Sequence, residues 1–265
     1  MKFIYFLLIS ILCIGCVKEK SFADDIVLSF PKNTEMKTQE FNEDGNEFGE
    51  NLFYIGKIAK NIEVKYYESI IPEPPPPPRK NESKEKYLMR IKNEKESLFD
   101  LSNGCFKNEE IQIFETKEEF TDSLSNKNIE IIVKENDTIP LYKRDFNVKG
   151  IKKHYAFPVF IKNISNQILK IPIESKNAAL YIYDKELKRF SFVKNSNYNI
   201  FNCIEIPNNP YFELKPNEIL VYAYPYFKKG KKQKAKMKFY NASSREFEIS
   251  IDENIIKNQR NNYYE

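Results

Sequence analysis

The chain is poor in the residues on which most metal and nucleophilic sites depend. Its 265 residues include one histidine, His154, seven glycines, four cysteines and no tryptophan. One histidine and a few distant cysteines do not make a standard zinc site, and a Ser-His-Asp or Cys-His centre would have to use His154. Because His154 follows two lysines at the start of a strand pattern, we expect it to be a surface residue. So few glycines also argue against phosphate-binding loops, and we predict no metal or other cofactor.

Long apolar runs are scarce as well, and the one that stands out opens the chain. It follows Lys2, extends from Phe3 to Leu12 and ends at Gly15 and Cys16. A membrane-spanning helix needs about 20 apolar residues, so this run is too short to cross a bilayer. One basic residue, a short apolar core and small residues at its end are typical of a secretory signal peptide. We therefore predict that the protein is exported.

The end of this signal, Leu12-Cys13-Ile14-Gly15-Cys16, resembles the cleavage motif of bacterial lipoproteins. That motif places a leucine, a small residue and Gly or Ala before the cysteine that receives diacylglycerol, and here the leucine lies one position early. The resemblance implies cleavage before Cys16, acylation of Cys16 and loss of Cys13 with the signal. Val17 rather than Asp follows Cys16, which in Gram-negative lipoproteins usually accompanies the outer membrane. The predicted location is therefore the outer membrane, on its periplasmic or its surface face, with the acyl anchor making the membrane the first partner.

The charge balance argues against nucleic acid as a partner. The formal net charge is +4, or +3 once Lys2 leaves with the signal, which is too small to indicate binding to a polyanion. Hydrophobic residues make up 41% of the chain and charged residues 30%, so a core can form. The 21 phenylalanines and 17 tyrosines favour strands. We predict a mainly β protein that is α+β overall.

Composition and periodicity divide the chain into segments. A polar, acidic stretch follows Cys16, prolines fill 74–78, and alternating apolar residues recur after 151. Acidic polar segments bury little, consecutive prolines form a stiff spacer, and many short strands separated by turns are typical of a β-sandwich. The predicted segments are a signal peptide at 1–15, a tether at 16–50, a β-hairpin at 51–71, a Pro-rich linker at 72–82, a small α/β region with one amphipathic helix at 83–150, a sandwich at 151–255 and a tail at 256–265.

Two stretches of the predicted sandwich resemble immunoglobulin-like domains of bacterial envelope proteins. In 157–166 an apolar strand ends in an Asn-rich turn, and 212–218 contains a Leu-x-Pro-Asn-Glu turn that precedes another strand. The family has glycine where Asn217 stands, and asparagine tolerates left-handed backbone angles. The resemblance implies an immunoglobulin-like β-sandwich over 151–255 but no particular activity.

The densest local feature is a group of lysines near the end of the sandwich. Ala235, Met237 and Phe239 alternate with lysines, which places the lysines on one outward face of a strand, and Gly230 suits a hairpin tip. Such a patch fits an anionic glycan, lipid head groups or an acidic protein. The alternative is a solvated edge strand that uses lysine to block aggregation. The patch consists of Lys228, Lys229, Lys231, Lys232, Lys234, Lys236 and Lys238.

The two cysteines that remain after processing are Cys105 and Cys203. In an oxidising envelope they are candidates for a disulfide, and the alternative is a pair of buried free thiols. A bridge across a loop of about a hundred residues would stabilise the fold by roughly 4 to 5 kcal/mol in the chain-entropy model.

These observations favour a lipid-anchored envelope protein with a binding or structural role rather than an enzyme. Its predicted partners are the membrane and either another envelope protein or an anionic glycan or lipid, with no nucleic acid. One alternative is an enzyme that acts on glycans through a pair of carboxylates, for which a deep cleft would be needed. The other is an inhibitor or immunity-type lipoprotein whose loops block another protein's site. A flat aromatic or basic strand face would favour binding.

Overall fold

The computed structural model describes residues 20–30, 36–38, 52–64, 77–80, 82–90, 113–116, 124–145, 150–172, 178–193, 209–227, 230–252 and 257. Most of these residues form strands, so the prediction of a mainly β protein is confirmed. The strands are β1 (Val27–Ser29), β2 (Leu52–Lys57), β3 (Asn61–Glu63), β4 (Ile113–Thr116), β5 (Ile129–Val133), β6 (Ile139–Asp145), β7 (Gly150–Asn163), β8 (Leu169–Pro172), β9 (Ala179–Asp184), β10 (Arg189–Phe192), β11 (Asn209–Leu214), β12 (Glu218–Pro225), β13 (Lys231–Phe239), β14 (Ala242–Ser243) and β15 (Phe247–Ile251).

Sheet 1 is antiparallel and is built around β7 and β12. β12 pairs with β2 on one side and with β7 on the other, and β7 also pairs with β5 and β6. The residues from Ile219 to Tyr224 are all apolar or aromatic, and all of them are buried. A strand without polar alternation is typical of a sheet that is covered on both faces.

Sheet 2 is centred on β13. Strand β9 pairs with one side of β13, β14 and β15 pair with the other side, and β10 extends the sheet beyond β9. Gln233, Ala235, Met237 and Phe239 are buried, and the residues between them point outward. This period of two is typical of a sheet that packs one face on the core and turns the other to solvent.

Sheet 3 has three antiparallel strands, with β11 between β4 and β8. Sheets 1, 2 and 3 contribute to one main core, in which Val159 and Leu220 of sheet 1 lie in the same buried cluster as Met237 of sheet 2 and Leu214 of sheet 3. Burial of this common apolar surface holds the sheets together.

The N-terminal segment, defined as residues 20–30, covers the other face of sheet 1. Strand β1 pairs in parallel with β3, and Ala23, which is 0% exposed, packs with Phe160 and Val221 in a second buried cluster. Lys37 bridges to β7 as well, through a bond from its N–H to the Lys153 carbonyl at 2.9 Å. The prediction of a tether over 16–50 is therefore wrong for the parts of it that the structure describes, because their apolar side chains have a sheet face to cover.

The predicted hairpin and the predicted domain boundaries also need correction. Strands β2 and β3 form, but β2 pairs with β12 and β3 pairs with β1, so they do not make a hairpin with each other. The boundary at 151 falls inside β7, and β4, β5 and β6 pair with strands beyond it. The regions predicted as 51–71, 83–150 and 151–255 therefore share their sheets. The immunoglobulin-like identity of the sandwich stays a prediction.

The helix expected after the proline run is present at 84–90. Ser83 caps it, since its Oγ accepts a hydrogen bond from the Lys86 N–H at 3.3 Å. Glu82 accepts two hydrogen bonds from the Arg90 guanidinium, which hold the pKa of Glu82 at about 2. On the predicted apolar face of this helix, Leu88 is 54% exposed and Tyr87 is half-buried, so the described turns bury that face only in part.

The two turns that suggested the immunoglobulin resemblance contact each other. The buried Asn163 donates from its side-chain amide to the carbonyls of Gln167 and Leu214, at 2.8 and 2.9 Å. Its backbone carbonyl accepts from the Asn217 N–H at 3.0 Å. Asn217 has a φ of 61°, so the expectation of a left-handed backbone at this asparagine is confirmed.

Candidate binding face

The outward lysines of β13 form the centre of the candidate site. Lys232, Lys234, Lys236 and Lys238 alternate with buried residues, as the sequence predicts, and the Lys234 side chain is 65% exposed. Lys231 is also exposed, at the first position of the strand. Lys228 and Lys229 lie outside the described residues.

Strand β13 is an interior strand and not an edge. It is hydrogen-bonded to β9 on one side and to β14 and β15 on the other, so the interpretation of its lysines as protection for an exposed edge is wrong. Gly230 is not a hairpin tip either, because β12 belongs to sheet 1 and β13 to sheet 2. At a φ of 137°, Gly230 lies so close to Ile251 that an added Cβ would come within 2.0 Å of the Ile251 carbonyl carbon.

Four aromatic side chains lie beside these lysines on the same outward face. Tyr181 and Phe192 are cross-strand partners with ring centroids 5.6 Å apart, and Tyr183 and Phe190 form a second pair at 5.3 Å. All four are half-buried, while Ile182 between the tyrosines and Leu180 before them point into the main core. Cross-strand aromatic pairs of this kind stabilise a sheet and at the same time present ring surface to solvent.

Lysines from β13 reach over these rings. The Lys236 Nζ lies 4.5 Å from the centroid of Phe190, and the Lys238 Nζ lies 4.4 Å from that of Tyr181. At such distances the ammonium group is attracted to the negative face of the ring. The lysine stems therefore lie along the aromatic surface and extend it toward the middle of the sheet.

Glutamates from β15 and the turn before it compensate the lysine charges. Lys232 contacts Glu248 at 3.7 Å, while Lys234 and Lys236 contact the two carboxylate oxygens of Glu246 at 3.6 and 3.5 Å. Such exposed pairs add little stability, typically about 0 to 1 kcal/mol. Their main consequence is that the face carries mixed charge and not a block of uncompensated positive charge.

A depression of about 460 Å³ opens at the end of this face. It is lined by Tyr183, Lys185, Phe190, Lys232, Gln233, Lys234, Glu246 and Glu248. Two carboxylates thus share one hollow, but Glu246 and Glu248 are 46% and 60% exposed and each is ion-paired with lysine. A general acid needs an apolar, desolvated setting, so this arrangement does not favour the alternative of a glycan-cleaving enzyme.

We refer to Tyr181, Tyr183, Phe190 and Phe192, together with Lys232, Lys234, Lys236 and Lys238, as the lysine–aromatic face. The sequence predicted the lysines of this face but not its aromatic half. The spacing of the aromatic residues could have predicted that half, because Tyr181 and Tyr183, like Phe190 and Phe192, are two residues apart and therefore point to one side of a strand.

The remaining candidate residues give a mixed result. Cys16, Cys105 and Cys203 lie in parts of the chain that are not described, so lipid attachment and the disulfide stay predictions. His154 is 2% exposed within β7, so the expectation of a surface histidine is wrong. Its strand pairs with β6 at Leu141, where both side chains are buried.

No cluster of metal-ligating side chains occurs among the residues described. Within the same ranges, no helix has the length and apolar character needed to cross a bilayer. No family model, curated protein or solved structure matches the chain.

Proposed function

We propose that this chain is a lipid-anchored protein of the bacterial outer membrane, acylated at Cys16, that binds another envelope protein through the lysine–aromatic face. The observation that carries the binding role is the outward face of sheet 2, where half-buried rings and lysine stems form a continuous surface beside a depression of about 460 Å³. Aromatic residues are enriched in protein interfaces, where they supply much of the binding energy.

The charge pattern favours a protein over an anionic glycan or lipid as the partner. Three of the four lysines already contact Glu246 or Glu248, and Lys238 lies over Tyr181. A polyanion would have to compete with these carboxylates, whereas a protein surface of mixed charge can match both signs. Complementary mixed charge gives specificity, while burial of the rings gives affinity.

The binding role is tested by affinity capture from the membranes of the source cells, with the full-length chain as bait. We expect Phe190→Ala and Tyr183→Ala each to weaken capture of one defined protein about tenfold or more, which corresponds to about 1.4 kcal/mol of a hot-spot contact. Tyr155→Ala is the matched control, because Tyr155 is an exposed tyrosine on sheet 1, and it should leave capture unchanged. Equal capture by all three variants would refute the assignment to this face.

Salt and charge variants separate the protein from the anionic alternatives. Binding through buried rings should persist when salt is raised, because salt screens charges and not apolar contacts. Binding to vesicles of anionic lipid, or to an anionic glycan, should instead fall steeply with salt and with the combined change of Lys228, Lys229, Lys231 and Lys232 to Gln. Tight binding that shows this salt and lysine dependence would replace the protein partner with an anionic ligand.

A further inference from the structure

The N-terminal segment begins close in sequence to the proposed lipid anchor. Only residues 17–19 separate Cys16 from Lys20, the first described residue. Consecutive Cα atoms of a fully extended chain advance by at most about 3.6 Å per residue, so the Cα atoms of Cys16 and Lys20 lie within about 14 Å of each other. An acyl chain on Cys16 therefore holds the N-terminal segment against the bilayer.

The N-terminal segment and the lysine–aromatic face lie on opposite sides of the molecule. Ala23 and Ile26 cover the face of sheet 1 that carries Phe160, whereas Phe157 and Val159 point from the other face into the main core. Beyond that core lies sheet 2, whose inward residues include Met237. The order of layers is thus N-terminal segment, sheet 1, main core, sheet 2 and the lysine–aromatic face.

Two specific contacts fix the segment in this position. The Lys162 Nζ of β7 lies 5.4 Å from the ring centroid of Phe22, and the Lys134 Nζ lies 3.6 Å from an oxygen of Asp24.

The distance between the N-terminal segment and sheet 2 exceeds the reach of the chain that carries the anchor. Packed β layers are spaced by about 10 Å, so the segment and the backbone of sheet 2 are about 20 Å apart. The chain between Cys16 and Lys20 is too short to span that distance.

The side that faces the anchor also carries exposed apolar and basic groups. Val27 is 55% exposed and Ile58 is 39% exposed. The Val27 N–H donates to the Lys60 carbonyl at 2.8 Å, which places β1 beside the turn between β2 and β3. Lys57, at the end of β2, and Lys60, in this turn, are both exposed. Asp24 and Asp25 of the same segment are also exposed, so the charge of this side is mixed, and the exposed Val27 and Ile58 are the groups that suit contact with a bilayer surface.

We infer that the β1–β3 side of the fold rests on the membrane that holds the anchor, and that the lysine–aromatic face is turned away from that membrane. This inference rests on the proposed acylation of Cys16. The orientation excludes the lipid of this membrane as the partner of the lysine–aromatic face, because that face lies on the far side of the protein from the head groups. The partner must approach from the aqueous side.

The test uses the full-length, acylated protein in lipid vesicles whose head groups carry an energy-transfer acceptor. A donor dye is attached through an azide-bearing amino acid at Val27 in one sample and at Ser250, an exposed residue on the outward side of sheet 2, in the other. We expect clearly higher transfer from position 27 than from position 250. Inserting 24 Gly/Ser residues between Glu19 and Lys20 adds a flexible reach of about 25 to 30 Å and should remove the difference.

Higher or equal transfer from position 250 in the membrane-bound protein would overturn the orientation and leave the anchor intact. Transfer from neither position, with the protein recovered in the soluble fraction as for Cys16→Ser, would overturn the anchor and the orientation together. Circular dichroism of both labelled proteins checks that each keeps its β structure.

Discussion

Sheets 1 and 2 share the main core but differ in what lies on their second face. Sheet 1 is covered by the N-terminal segment, and its strand β12 is apolar at every position from Ile219 to Tyr224. Sheet 2 turns its second face outward, and β13 alternates buried residues with lysines. In this molecule the periodicity of a strand therefore reports how many of its faces are buried. Both faces of sheet 1 are buried and stabilise the fold, whereas the outward face of sheet 2 is accessible to a partner.

The largest change in stability should come from replacing a phenylalanine on the second face of each sheet, which is the face that does not contact the main core. Phe160 is fully buried beneath the N-terminal segment, whereas Phe190 is half-buried on the lysine–aromatic face. We expect Phe160→Ala to lower the free energy of unfolding by about 3 to 5 kcal/mol and Phe190→Ala by about 1 kcal/mol. Urea denaturation followed by circular dichroism measures both. Similar losses in the two variants would contradict the contrast between the sheets.

Glycine substitutions give the next largest effect. At Gly230, which precedes β13, an added Cβ would overlap the Ile251 backbone, while at Gly56 in β2 it would meet the end of the Tyr54 side chain at 3.1 Å. Both residues have positive φ, so both substitutions to alanine carry backbone strain. We expect Gly230→Ala to cost about 2 to 4 kcal/mol and Gly56→Ala about 1 kcal/mol, since a side chain moves more easily than a backbone. Thermal unfolding of both variants checks this order, and the reverse order would refute it.

A smaller effect should come from two residues with left-handed backbone. Lys188, in the turn before β10, has a φ of 51°, and Asn217, in the turn before β12, has a φ of 61°. The left-handed conformation costs more free energy for lysine than for asparagine. Lys188→Gly should therefore stabilise the protein by about 0.5 to 1 kcal/mol more than Asn217→Gly does. Melting temperatures of the two variants measure the difference. A greater gain from Asn217→Gly would show that the Lys188 turn is not strained.

The smallest effect concerns the pH dependence of the N-terminal segment. The Ser21 N–H donates to the Asp24 carboxylate at 2.8 Å and Lys134 lies nearby, so the pKa of Asp24 is lowered from its ordinary value of 3.8. Because the pKa of Asp24 is lowered in the folded state, the ionised Asp24 carboxylate stabilises the fold. This stabilisation is present above the ordinary pKa and is lost as the pH falls through the folded-state pKa. An NMR titration of the Ser21 amide should therefore show a midpoint below 3.8. Asp24→Asn should remove this titration, and a midpoint above 3.8 would contradict the contact.

The contrast between the sheets could be predicted from the sequence only in part. The alternation around Met237 predicted the outward lysines because it is local and regular. Strand partners were not predictable in this way, since the pairing of β2 with β12 depends on contacts between residues far apart in the chain. A hairpin between β2 and β3 was expected simply because they are neighbours. The lysines of β13 resembled edge protection because the sequence does not report the strands on either side of it.

The N-terminal segment was missed for a related reason. Its apolar residues stand among polar neighbours and precede a long acidic stretch, so the average polarity of 16–50 resembles that of a tether. Ala23 and Ile26 bury their side chains, and Phe22 does so in part, because sheet 1 offers them an apolar face to cover. Whether a short apolar group folds depends on that distant face, which local composition does not reveal.

In-cell photo-crosslinking shows whether the lysine–aromatic face is the surface that binds the partner. A photoreactive amino acid is placed at Ser250, on the outward side of sheet 2, or at Val27, on the side next to the anchor, and intact cells are irradiated. We expect one defined protein adduct from position 250 that disappears with Phe190→Ala, and no such adduct from position 27. The same adduct from both positions, or a protein adduct from position 27 alone, would contradict the assignment of binding to the lysine–aromatic face.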